Sequence, residues 1–191
     1  LTQRDKIRDP KPHVKAHQFQ TTPYGSISDI PTECMEYFAK IDLTQSFQSV
    51  LIHENMRRLY TTRVWSSKEN KEIIYRWKTL VQGCQYSSMF FKEVVNYLLT
   101  KLRLRPEISE LVSTKQLFFL FLQDDIMLCG SSLEICELGL KSLIKFCEHH
   151  NFRVNSKKLV NPTRKLNFCG YEVSSDGVVA CPTRTPITKT F

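Results

Sequence analysis

The stretch Leu117-Phe118-Phe119-Leu120-Phe121-Leu122-Gln123-Asp124-Asp125-Ile126-Met127-Leu128-Cys129 decides how this chain folds. An apolar run, a short acidic break and a second apolar run read as two buried strands joined by a tight turn. Such a hairpin holds two carboxylates at one point on the edge of a core. Far upstream, Tyr37–Leu43 reads as another strand and gives Asp42 a similar setting. Strand-end carboxylates that meet in space are what a two-metal phosphoryl-transfer site needs. Two divalent cations held ~3.5–4 Å apart stabilise both the attacking and the leaving oxygen of an in-line displacement.

Working outward, two helices flank the hairpin. Over Ser87–Leu102 the apolar residues Phe91, Val94, Val95, Leu98, Leu99 and Leu102 fall on one stripe, with Ser87 as the expected cap. Over Ser132–His150, Leu133, Cys136, Leu140, Leu143, Ile144 and Cys147 do the same, and Glu137 with Lys141 forms an i, i+4 pair. Between them, Arg103–Lys115 carries Pro106 and reads as a basic connection. Pro23–Tyr37 reads as a ragged helix. Arg57–Trp65 and Ile73–Leu80 read as a hairpin turning through Ser66–Glu72. Asn151–Val154, Leu166–Val173 and Val178–Cys181 are short strands, with Asp176-Gly177 as a turn. This order predicts an α+β architecture, with helices on one face of an antiparallel sheet and the acidic residues gathered on an open opposite face.

Size and composition set the bounds. The chain has 191 residues, 41% of them hydrophobic, which suits one globular domain with a sizeable core. Its net charge of +8 suits a polyanionic partner, and it also suits plain solubility. Seven cysteines, scattered and never in a C-x-x-C pair, argue against a zinc site and against a disulfide framework. His149-His150 beside Cys147 reads as an exposed helix end, because adjacent helical residues do not share a face. No apolar run approaches the ~20 residues needed to span a bilayer, so no membrane association is expected.

Several segments in order resemble the fingers and palm of retroviral reverse transcriptases, nearest to the gammaretrovirus-like and endogenous retroviral type. Pro23-Tyr24 and then Phe38-Ala39-Lys40-Ile41-Asp42-Leu43-Thr44-Gln45-Ser46-Phe47 resemble the first palm motif. Trp65 followed by Tyr75–Gly83 resembles the segment that ends in Leu-Pro-Gln-Gly. Leu122-Gln123-Asp124-Asp125 stands where Tyr-x-Asp-Asp is usual. Val154-Asn155-Ser156-Lys157-Lys158 resembles the lysine motif, and Phe168–Val173 the primer-grip hairpin. The resemblance implies a single domain over residues 1–191, with partial fingers at about 1–22 and 50–86 and palm at about 23–49 and 87–181. It leaves no stretch for a thumb, connection or ribonuclease H domain.

The resemblance implies an RNA-directed DNA polymerase. Asp42, Asp124 and Asp125 would be catalytic and, with the Leu43 carbonyl, would bind two Mg²⁺, Mn²⁺ being possible in their place. Phe47 would exclude a sugar 2′-hydroxyl, and Gln82-Gly83 would lie against the incoming nucleotide. Lys157 or Lys158 would protonate the pyrophosphate, and Cys169-Gly170-Tyr171 would grip the primer. Implied partners are an RNA or DNA template with primer, deoxynucleoside triphosphates and the rest of a pol polyprotein, in the cytoplasm or a virus-like particle. The chain departs from the family pattern at Val81, Ser88, Leu122 and Cys169, and near Ile7-Arg8, where the fingers arginine is expected. These departures suit an alternative: a domesticated retroviral remnant, weak or inactive as an enzyme, that binds nucleic acid or protein.

Overall fold

The computed structural model describes residues 26–84, 86–122 and 125–181. The expectations for residues 1–25, for Asp124 and for residues 182–191 lie outside them. The centre is a five-stranded antiparallel sheet. Strand β1 (Tyr37–Thr44) carries β5 (Asp125–Gly130) on one side, and β4 (Leu117–Leu122) pairs with β5 beyond it. Along its other side β1 pairs β6 (Arg153–Val154) near Asp42 and β7 (Val160–Thr163) near Phe38.

Alternation along the strands makes two cores. Ala39, Ile41, Phe119, Phe121, Ile126 and Leu128 point to the face covered by helices α1 (Ser87–Arg103), α2 (Pro106–Ser113) and α3 (Leu133–His149). Phe91 on α1 packs its ring against Phe121 and Phe152 at 5.9 and 6.3 Å between centroids. Arg103 at the end of α1 donates to the Phe119 carbonyl at 2.7 Å and ties that helix to the sheet. Ser132 caps α3 by accepting from the Ile135 amide. The helix seats closely because a Cβ on Gly139 would stand 2.7 Å from Leu117 Cδ1.

The opposite face is not open along its whole length. Phe38, Leu120, Met127 and Cys129 form a second core with Ile27, Ile30, Leu166, Phe168 and Val173. The last three come from a separate three-stranded sheet of β8 (Lys165–Phe168), β9 (Tyr171–Ser174) and β10 (Gly177–Ala180). Leu166–Val173, read as one short strand, is therefore a hairpin, as its resemblance to a primer grip implies. Cys169 and Gly170 form its two-residue loop with φ of 49° and 80°, the pair of positive values that a type I′ turn requires.

Other expectations change too. The described part of the expected helix Pro23–Tyr37 is two short 3₁₀ turns, Ile27–Asp29 and Thr32–Cys34, separated at Pro31, whose missing amide cannot continue a helix. Arg103–Lys115 is no plain connection, because it contains α2, with Pro106 at a first-turn position where the lost donor costs nothing. Ser87 does not cap α1: Tyr86 takes the cap position, and the buried Ser87 hydroxyl has no hydrogen-bond partner among the described residues. The second hairpin is β2 (Thr61–Ser66) with β3 (Lys71–Arg76), shorter than expected because Glu54–Leu59 forms a 3₁₀ helix. It is anchored at its base, where Ile52 donates to the Lys78 carbonyl at 2.8 Å and Leu80 to the Val50 carbonyl at 3.1 Å.

Candidate active site

The site is built from the pairing of β1 with β5. In that register Asp42 lies directly opposite Asp125. Residues opposite one another in an antiparallel pair project to the same face. Lys40, two residues before Asp42, shares that face as well. The acidic pair sits where β5 begins, at the margin of the second core, against which Leu122 is packed. Leu122 lies opposite Asp125 in the β4–β5 pairing, so the second aspartate of the motif opens β5.

Each carboxylate has a cation. Lys158 Nζ is 3.1 Å from Asp42 Oδ1, and Lys40 Nζ is 3.3 Å from Asp125 Oδ2. Asp42 is held further by Asn155, which donates its side-chain amide to Oδ2 at 3.4 Å and its backbone amide to the Asp42 carbonyl at 2.8 Å. The Asn155 side chain also accepts from the Lys157 amide at 3.1 Å. This Asx-type turn presents Lys158 rather than Lys157 to Asp42. Lys158 is largely solvated, with 64% of its side chain exposed, whereas Asp42 is 15% exposed. Lys40 and Asp125 are both mostly covered, at 20% and 24%.

The other expected residues frame this cluster. Leu43 pairs with Val154, and its side chain is in the helix-side core. Phe47 lies in a 3₁₀ turn, Ser46–Ser49, entered through Gln45 at φ 49°. Its ring meets Phe91 at 5.2 Å, so α1 fixes its direction. Gln82 and Gly83 are exposed in the turn before α1, and Gly83 has φ +83°, a conformation that favours glycine. They follow Leu80, which is bonded to Val50 near the Phe47 turn. Cys169 brings the β8–β9 turn to the end of β4, its thiol 3.9 Å from the Leu122 carbonyl. Tyr171 follows at the start of β9, partly buried.

A family model described as reverse transcriptase (RNA-dependent DNA polymerase) matches residues 3–173. The chain belongs to the reverse transcriptase family. It is thus a nucleotidyltransferase of the RNA-directed DNA polymerase type, and the α+β architecture agrees with a reverse transcriptase palm with part of its fingers. The family works on a nucleic acid template and primer with deoxynucleoside triphosphates, and generally uses divalent metal ions.

The donor set fits such ions. Asp42 and Asp125 offer hard carboxylate oxygens on one face, as Mg²⁺ prefers. Among the described residues, no group of three or more His, Cys, Asp or Glu side chains is assembled, Asp124 being outside them. His149 and His150 form no such cluster with Cys147. The two rings meet edge to face at 5.1 Å, and burial pushes the Cys147 thiol up to about 12. No described helix is long and apolar enough to cross a membrane.

Two residues of this cluster escape a reading of the sequence for catalytic types. Asn155 acts through a turn and reaches Asp42 from 113 positions downstream. Lys40 looks like an ordinary strand lysine until β5 brings Asp125 beside it. The one available signal is spacing, since a lysine two residues before a strand aspartate lies on the same face.

Proposed function

We propose that this chain is the polymerase part of a retroviral or endogenous retroviral pol polyprotein and adds deoxynucleotides to a primer 3′ end by two-metal nucleotidyl transfer. The observation that carries the reading is the register that sets Asp42 opposite Asp125 at the sheet end. Asp42 and Asp124 would hold two Mg²⁺ or Mn²⁺ ions with the Leu43 carbonyl, and Asp125 would complete the acidic site. When bound, such ions supply charge stabilisation at the transferring phosphoryl group.

The protein's own part is positioning. The primer 3′-oxygen attacks the nucleotide α-phosphate and pyrophosphate leaves, so alignment and fixed charge do most of the work. Phe47, backed by Phe91, closes the space beside the sugar 2′ carbon and selects deoxynucleotides. Gln82 and Gly83 line the nucleotide, where glycine permits close backbone approach. Lys157 or its neighbour Lys158 donates a proton to the leaving pyrophosphate. The Cys169-Gly170-Tyr171 turn steadies the primer end. The site of action is the cytoplasm or a virus-like particle.

The test is primer extension with deoxynucleotides and Mg²⁺ or Mn²⁺, which Asp124→Asn abolishes. A second reading, a domesticated remnant that binds nucleic acid or protein without turnover, draws on Leu122 in place of the motif tyrosine. A preparation that binds primer-template and never extends it selects this second reading.

A further inference from the structure

Lysine is seldom buried in the central strand of a sheet, because its ammonium must keep water or find a carboxylate. Lys40 sits in such a strand. It lies opposite Met127 on β5 and Val160 on β7, with Phe38 and Asp42 as its same-face neighbours on β1. Its ammonium crosses to Asp125 at 3.3 Å, with only 20% of the side chain exposed. The other cation of the site is different in kind. Lys158 reaches Asp42 from a solvated turn with 64% of its side chain exposed, so it can swing into water at little cost. One lysine is free to leave the acidic cluster and the other is built into it.

We propose that Lys40 is a positioning residue that acts as the permanent counter-cation of the acidic pair. It fixes the Asp125 carboxylate against β1 and sets the divalent-ion affinity of the site below what the bare carboxylates would give. This inference rests on the metal-binding reading of Asp42 and Asp124. Lys158 yields its place on Asp42 to an arriving cation, whereas Lys40 stays and leaves Asp125 committed to itself. The purpose is release: a site with a resident positive charge binds its ions loosely enough to exchange them between turnovers.

The test is Mn²⁺ titration of the whole chain, followed by electron paramagnetic resonance, without nucleotide or nucleic acid. K40M keeps the apolar stem and loses the charge. K40Q keeps a donor for Asp125 and loses the charge. K40R keeps both. Removing one positive charge beside a bound divalent ion tightens binding about tenfold, so folded K40M and K40Q both gain that factor while K40R stays at the wild-type value. A lysine with a merely structural role shifts the melting temperature in these variants and leaves Mn²⁺ affinity unmoved. That result, in whichever of K40M and K40Q folds, overturns the inference while the metal reading stands. If wild-type Mn²⁺ binding is insensitive to Asp42→Asn, the metal reading itself fails and Lys40 loses its role with it.

Discussion

Replacing Asp42 by asparagine separates a working carboxylate from a scaffolding one. The Asp42 carboxylate takes part in three local interactions. Its ion pair with Lys158 is 3.1 Å long, but the lysine is 64% exposed, and pairs of that kind contribute ~0–1 kcal/mol. Its hydrogen bond from Asn155 spans 3.4 Å, and an asparagine oxygen accepts it equally well. Against these stands Asp125 directly opposite, a like charge whose cross-strand repulsion costs a few tenths to ~1 kcal/mol. Losing the pair and losing the repulsion nearly offset each other. Asp42→Asn is therefore expected to change unfolding stability by less than about 1 kcal/mol, read as the urea midpoint at constant m-value. Primer extension by the same protein falls by about 10²–10³-fold, as expected when charge stabilisation of a transition state is removed. A stability loss above about 2 kcal/mol is the contrary result. It would mean that the carboxylate holds the β1–β6 junction together, as a buried charged hydrogen-bond acceptor does.

Phe47→Ala is expected to admit ribonucleotides in single-turnover incorporation and to cost about 2 kcal/mol of stability, because its ring packs on Phe91; unchanged sugar discrimination would remove Phe47 from the nucleotide site. Gly130→Ala should destabilise the fold by about 1–3 kcal/mol in denaturant unfolding. A Cβ there would stand 2.8–2.9 Å from the backbone of Cys136 at the start of α3, and neither element can retreat from the core. Burial raises the Cys136 and Cys147 thiols from 9.0 to about 12. Native protein at pH 8 should leave both unmodified by a thiol reagent while unfolded protein reacts, which mass spectrometry of the labelled peptides reads directly. Because folding raises these values, the stability they contribute is complete below about pH 9 and is lost as pH climbs towards 12.

The elements with strong periodicity were legible in the sequence. Helices α1 and α3 and the strands around Asp125 declare themselves because one face, or a whole strand, is buried, and that leaves an apolar pattern. The failures have physical causes too. Pro106 looks like an interruption of a loop, yet a proline in a helix's first turn sacrifices no hydrogen bond, and α2 begins there. Strand β7 was missed because Val160–Thr163 is short and contains Pro162, which is tolerated at a sheet edge. The expected open face is half covered because β8–β10 form their own small sheet, whose packing depends on tertiary contacts that no local pattern records.

For the site, the meeting of Asp42 with the second aspartate of the motif followed from reading both as strand-end carboxylates. The roles of Asn155 and Lys40 could not follow from local sequence. Asn155 reaches a partner 113 positions away and Lys40 one 85 positions away, and only the folded register makes either contact.

In the proposed reaction the segments around Asp42 and Asp124 close on a common pair of divalent ions. Fe²⁺ with ascorbate, substituted for Mg²⁺, generates radicals that cut the backbone only close to the bound metal, and mass spectrometry locates the cuts. Cleavage is expected at two places together, near residues 41–43 and near residues 123–126, both suppressed by excess Mg²⁺ and both lost in Asp42→Asn. Cleavage at one of these segments without the other, or cuts that persist in Asp42→Asn, would contradict that closure.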